Sequence, residues 1–243
     1  MIFNVKNNFI NGVVMIYVVG GIKGGSGKTT VATNLAVKLS LLGKDVLLVD
    51  ADDQETATDF SAWRNERTEG KAGYTSVQLT GKAARDELTR LANKYEEVVI
   101  DTGGRDTTSQ RAALSVADIY LVPFNPRSFD VWTVEKVARL IEEIQTINPT
   151  LKTYAFLNRA DPRGSDNDDA AEALREEEAF KYLDTPLVNR KAFSNASAQG
   201  MGVMELQPQD KKATTEFSTL FDTISNVGNN VENNVTSDIT FKG

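Results

Sequence analysis

Short apolar runs that end in glycine, aspartate or asparagine alternate along this chain with stretches whose apolar positions recur every three or four residues. Met15 to Gly20, Val46 to Val49, Val98 to Ile100 and Thr153 to Leu157 are such runs, Ile119 to Val122 is another closed by Pro123, and Ser76 to Leu79 suits a short strand. Unbroken apolar runs of this length predict strands buried on both faces. Between them, Val31 to Leu42, Thr56 to Arg67, Lys82 to Lys94 and Phe129 to Ile147 predict helices. In the last of these, Val131, Val134, Val137, Leu140, Ile141 and Ile144 share a face; in the second, Phe60 and Trp63 are expected to do so. Thr185 to Val188 suits a short last strand and Lys211 to Ile224 a last helix. The repeated order of strand, loop and helix predicts an α/β fold, a doubly wound and mainly parallel sheet flanked by helices.

The loop after the first strand carries the strongest chemical signal. Lys23 to Thr30 reads Lys-Gly-Gly-Ser-Gly-Lys-Thr-Thr and joins a buried strand to a helix, the setting of a phosphate-binding loop. Gly24, Gly25 and Gly27, with Ser26 and Thr30 completing the turn, let backbone N–H groups point inward at a polyphosphate. Lys28 brings a point charge to the β- and γ-phosphates, and Thr29 offers its hydroxyl to Mg²⁺. Ligands of an open parallel sheet gather outside the carboxyl ends of its strands, so Asp50, Asp52 and Asp101 are expected to converge on this loop. Asp101 ends Val-Val-Ile-Asp, a Walker B pattern suited to a metal-bound water.

Composition narrows the chemistry. The 243 residues include no cysteine and no histidine, which removes thiolate and imidazole metal sites, cluster ligands, disulfides and His-assisted nucleophiles. A formal net charge of −7 gives no general attraction to nucleic acid, so any such contact must come from a local patch. No apolar run approaches the ~18 to 20 residues of a membrane span. The acidic stretch from Asp161 to Ala179 reads as a solvated loop and helix face, or as a partner surface.

Lys23 ahead of the loop makes the chain resemble the deviant Walker A family of ParA and MinD ATPases, and most of all the ParA-like partition and cargo-positioning members, from about Met15 to Phe221. That resemblance implies an extension over 1–14, one P-loop ATPase domain over 15–224, and leaves an asparagine-rich tail over 225–243 expected to be disordered. It implies a homodimer with ATP sandwiched between subunits, Lys23 reaching the partner's nucleotide, and a cycle between ATP and ADP that depends on Mg²⁺. By the same resemblance Asp52 orients the attacking water, Asp50 supports the metal shell with Thr29 and Asp101, and Asn158, Pro186 and Asn189 contact the base. Arg190, Lys191, Lys211 and Lys212 are the candidates for non-specific DNA binding. A centromere- or cargo-binding adaptor that stimulates hydrolysis, and a cytoplasmic, nucleoid-associated location, complete what the family implies. Two departures stand out, Asp53 in place of proline and Gly103-Gly104 in the segment after Asp101; Arg105 there could pair with Asp106, meet a second subunit or face solvent. The alternatives are a MinD-like membrane-associated positioning ATPase and a metabolic P-loop enzyme.

Overall fold

The computed structural model describes residues 14–81, 84–128, 131–163 and 165–239, with backbone alone for 128, 131 and 227–239. The expected amino-terminal extension lies outside the described residues save for Val14. The strands are β1 (Met15–Val19), β2 (Val46–Ala51), β3 (Thr75–Gln78), β4 (Glu97–Thr102), β5 (Ile119–Phe124), β6 (Lys152–Ala160), β7 (Lys181–Tyr182) and β8 (Leu187–Val188). They form one parallel sheet in the order β3-β2-β4-β1-β5-β6-β7, with β8 also paired to β6. The unbroken apolar runs predicted this, because every residue of β1, β2 and β5 is buried.

Alternate side chains of the strands feed two separate cores. Ile16, Val18, Leu47, Val49 and Ile100 point to one face, where α3 (Ala84–Ala92), α4 (Thr108–Leu114), α5 (Val131–Gln145) and α6 (Asp166–Glu176) pack. Tyr17, Val19, Val46, Leu48 and Val99 point to the other, covered by α1 (Lys28–Leu41), α2 (Thr56–Arg67), α7 (Lys191–Ser197) and α8 (Lys211–Ile239). The chain leaves β1 toward β2 on one side of the sheet and leaves β4 toward β5 on the other. These neighbours therefore splay their outgoing loops and open a crevice at their carboxyl ends.

Three elements differ from the pattern-based reading. The helix predicted to stop at Ile224 runs on to Ile239, so 225–239 of the tail expected as disordered is helical. Val227, Val231, Val235 and Ile239 recur every four residues, a helix-face spacing that the asparagines obscure. Asparagine costs only a few tenths of a kcal/mol per position, roughly, in extending a helix already nucleated. On α2, Phe60 is buried as expected, but Trp63 is 51% exposed. Its place inside is taken by Arg64, because the inward face of α2 is Ala57, Phe60, Ser61 and Arg64. The α4 helix has no apolar periodicity long enough to announce it; Thr107 caps it by accepting from the Gln110 N–H at 3.1 Å.

Candidate functional site

The loop between β1 and α1 is held from the outside. Gly27 has φ 85°, and a Cβ there would stand 2.3 Å from Asn158 Nδ2, which instead donates to the Ser26 carbonyl at 2.7 Å. A glycine is thus required both by the left-handed backbone and by the end of β6 pressing on it. Gly104 has a matching role on the other side, since a Cβ would lie 2.8 Å from the Gly24 backbone nitrogen. The segment after β4 therefore rests directly on the phosphate loop.

The charged groups meet beneath it. Asp50 and Asp101 are register partners on β2 and β4, and both are fully buried. Asp50 is committed to α2: one oxygen accepts from the Thr58 N–H at 2.8 Å and hydroxyl at 2.9 Å, and the other from the Asp52 N–H at 3.1 Å. Its expected support of a metal shell would be given from this hydrogen-bonded position. The helix start has no side-chain cap of its own, and Asp50 supplies one from the sheet.

Asp101 is left in the opposite condition. Among the described residues neither of its oxygens has a hydrogen-bond partner. Burial, reinforced by Asp50 and Asp52, pushes its carboxyl up to about 8, although the neighbouring Thr29 hydroxyl and Lys28 favour the ionised form. Lys28 is buried as well; desolvation lowers its ammonium, Asp101 and Asp52 pull it back, and Nζ donates to the Lys23 carbonyl at 3.2 Å. A dry, unpaired carboxylate beside a hydroxyl fits a divalent cation. Among the described residues no cluster of three or more acidic or imidazole side chains could cage a metal alone. One carboxylate and one hydroxyl beside a phosphate cradle is the donor set that Mg²⁺ uses when phosphates complete its shell.

The cleft above these groups has a volume of about 740 Å³ and is lined by Gly24, Lys28, Thr29, Asp52, Gly103 and Thr107, among others. Asp52 sits at its rim, accepting from the Gln54 N–H at 3.2 Å, and a Cβ on Gly103 would stand 3.0 Å from its Oδ1. Asp53 also lines the cleft, so the departure from proline places a second carboxylate there. A neighbouring cleft of about 440 Å³ holds Asn158, Asn189, Arg190, Lys191 and Phe193. Pro186 is exposed and does not line it.

Lys23 does not line the phosphate cleft. Its side chain borders cavities on the α5 side of the loop, one shared with Thr133 and Val137 and one with Arg105, Arg111 and Lys136. Asp106 pairs with Arg111 at 2.6 and 2.7 Å, and among the described residues no ion pair joins it to Arg105. Of the cation candidates, Lys191, Lys211 and Lys212 are exposed, whereas Arg190 is held by both oxygens of Glu216 at 2.5 to 3.0 Å. An arginine already paired with a carboxylate is a weaker candidate for a phosphate contact than the three lysines.

Sequence reasoning missed Gln110, Arg159 and the Arg64–Glu205 pair. With its amide oxygen accepting from the Tyr120 hydroxyl at 3.1 Å, Gln110 donates to the Arg105 carbonyl at 2.9 Å and the Gly21 carbonyl at 3.3 Å, tying the segment after β4 to the loop. Arg64 makes a bidentate pair with Glu205 at 2.7 and 3.0 Å. No motif marks these residues; only a polar side chain inside a helix or strand hints at them.

The family model of the CobQ/CobB/MinD/ParA nucleotide binding domain matches residues 17–203. A maintenance of carboxysome distribution protein A from Halothiobacillus neapolitanus is 27% identical over 203 residues, covering 83% of this chain and 92% of that protein. Its counterpart from Gloeobacter kilaueensis is 30% identical over 186 residues, covering 75% and 81%. Among solved structures, an ATP complex of a Cyanothece McdA variant superposes with TM-score 0.74 at 16% identity over 88% of this chain and 97% of that one.

The unpaired carboxylate yields a stability prediction. Asp101→Asn keeps the shape but abolishes the cost of holding a carboxyl whose folded-state value is raised above its unfolded one, so at pH 7 the nucleotide-free protein should melt about 2 to 6 °C higher, from roughly 1 to 2 kcal/mol of relieved desolvation. In the same calorimetric scans, Mg²⁺ with nucleotide should no longer raise its melting temperature. A variant that melts below the parent without nucleotide would contradict this picture of Asp101.

Proposed function

The chain belongs to the CobQ/CobB/MinD/ParA nucleotide-binding family, and from that membership we propose that it is a ParA-like, Mg²⁺-dependent ATPase that positions or partitions a cargo. The observation that carries this reading is the division of labour between two lysines. Lys28 lies in the phosphate cleft, while Lys23, five residues earlier, lines the adjoining surface outside it. A lysine placed outside its own phosphate cleft is positioned to face a second subunit across the loop and to reach that subunit's phosphates. The two carboxysome distribution relatives match over most of their length, and positioning of a cargo is what their names record.

In this reading Lys28 and the backbone N–H groups of residues 24–29 hold the β- and γ-phosphates of ATP. Thr29 and Asp101 would hold Mg²⁺, which supplies positive charge to those phosphates. Asp52, at the rim of the cleft, orients water toward the γ-phosphate; an ordinary ionised aspartate suffices, because phosphoryl transfer rests on positioning and charge stabilisation more than on a strong base. Gly103 and Gly104 pack on Asp52 and on the loop, so the segment they begin responds to what the cleft holds. The closed homodimer binds DNA without regard to sequence, and an adaptor bound to the cargo stimulates hydrolysis and release. A membrane-associated alternative is not favoured, since residues 225–239 carry no lysine or arginine on the helix that would have to lie on anionic lipid.

Two substitutions separate closure from chemistry. Asp52→Ala should dimerise with MgATP yet turn over far more slowly, whereas Lys23→Ala should bind ATP and stay monomeric. Its turnover should fall as well, since a charge supplied across an interface contributes on the order of 10³ to 10⁵ in phosphoryl-transfer rate. Light scattering with ATP and phosphate release without any added acceptor read these outcomes. ATP-dependent dimers of Lys23→Ala equal to those of the parent would sink the trans role, and phosphate release only with a small-molecule acceptor would indicate a metabolic enzyme.

DNA binding is the second test. Three exposed lysines on each subunit, Lys191, Lys211 and Lys212, give a dimer about six phosphate contacts, so log affinity should fall with log salt at a slope of about −5. Random duplex should bind with MgATP and not with ADP in anisotropy measurements, and charge reversal at Lys211 and Lys212 should weaken it without affecting dimerisation. Binding to anionic liposomes in place of DNA would shift the reading to a membrane switch.

A further inference from the structure

Arg159 occupies a position that the functional reading has not used. It lies in β6 with φ 58°, a left-handed conformation that is costly for a residue with a Cβ, at the irregularity where β8 pairs with β6 on either side of it. Its own N–H donates to Asn158 Oδ1 at 3.0 Å, and Asn158 Nδ2 in turn donates to the Ser26 carbonyl at 2.7 Å. The strained residue and the phosphate loop are therefore joined through one buried amide. Its Nε lies 3.6 Å from where a Cβ on Gly27 would be, so the side chain lies along the loop and not out into solvent. The residue is nonetheless exposed, and among the described residues its guanidinium has no ion pair.

The two clefts decide what such a cation serves. The 740 Å³ cleft contains Lys28 and Thr29, and the 440 Å³ cleft contains Asn189 and Phe193; among the described residues Arg159 and Thr30 alone line both. A nucleotide whose β- and γ-phosphates lie on Lys28, with its base in the smaller cleft, must pass between these two residues. The part that lies there is the α-phosphate and the sugar. We propose that Arg159 is a nucleotide-binding residue, its guanidinium hydrogen-bonding the α-phosphate from the side opposite Thr30, and that its left-handed backbone is kept because it aims the side chain along the loop. This inference rests on the nucleotide reading of the site.

An α-phosphate contact is made equally to ATP and ADP, which sets it apart from the γ-phosphate contacts of Lys28 or a partner's lysine. Charge-assisted bonds from arginine to phosphate support roughly 10- to 100-fold in affinity. Arg159→Gly should therefore weaken binding of ATP and of ADP by the same factor in that range, measured by calorimetry with Mg²⁺. Arg159→Lys, keeping the charge but not the planar fork, should lose less. Because glycine accepts φ 58° without strain, Arg159→Gly should also melt above the parent in the absence of nucleotide, which separates lost contact from lost fold. Unchanged affinity for both nucleotides, or a loss confined to ATP, would overturn the proposal. A parent protein that binds neither nucleotide would overturn the nucleotide reading on which it stands.

Discussion

Asp101 is carried on β4 with no solvent exposure and, among the described residues, no hydrogen-bond partner, level with Asp50 on the next strand and within the field of Asp52. Facing these three carboxylates is Lys28, itself desolvated. A loop shaped to receive a polyanion thus opens onto a floor of carboxyl groups, of which Asp101 is held above the usual carboxylate range by its burial. A divalent cation held by Asp101 and Thr29 would supply positive charge both to that floor and to phosphates on the loop's N–H groups. The surrounding structure keeps that arrangement in place. Asp50 is tied into α2 by the Thr58 N–H and hydroxyl and keeps its place beside Asp101; the glycines at 103 and 104 bring the next segment within contact of the loop and of Asp52.

The same site is braced from the carboxyl-terminal half. The α2 helix begins on Asp50 and, two turns on, is pinned by Arg64, whose guanidinium is 5% exposed and grips Glu205 while Nη1 also donates to the Gly200 carbonyl at 3.1 Å. Glu205 in turn accepts from the Gly202 N–H, and Asn34 of α1 accepts from the Val203 N–H at 2.7 Å. Removing one member of such a buried pair costs about 3 to 5 kcal/mol, because the other charge is stranded. The segment after α7 is by these contacts fastened to both α1 and α2.

Much of this was legible in the chain itself. The unbroken apolar runs predicted the strands and their parallel pairing, and the glycine loop with Lys28 and Thr29 marked residues that line one cleft, because each is a local pattern with one physical solution. Asp101 was legible by its place at a strand end, but its isolation was not, since that depends on where Thr29 and Lys28 come to rest. Asp50 looked equivalent to it and is not: Thr58, eight residues later, claims its oxygens. Arg190 looked like a free cation until α8 brought Glu216 beside it. Arg159 carried no signal at all, because a left-handed arginine in a strand is set by the meeting of β6, β8 and the loop. Trp63 and Arg64 exchange places for a related reason, the partner of Arg64 being 141 residues away in sequence. Long-range pairing of polar groups is what single-sequence patterns do not encode.

Titration calorimetry of ATP into the parent and into Lys28→Ala, each with Mg²⁺ and with a chelator, probes the meeting of loop, cation and carboxylate directly. The parent should bind ATP with Mg²⁺ and lose at least about tenfold in affinity when the cation is removed, since phosphate must then face Asp101 unshielded. Lys28→Ala should give no binding heat in either condition. Binding by Lys28→Ala as tight as the parent's, or affinity in the parent that ignores Mg²⁺, would contradict the assignment of this cleft.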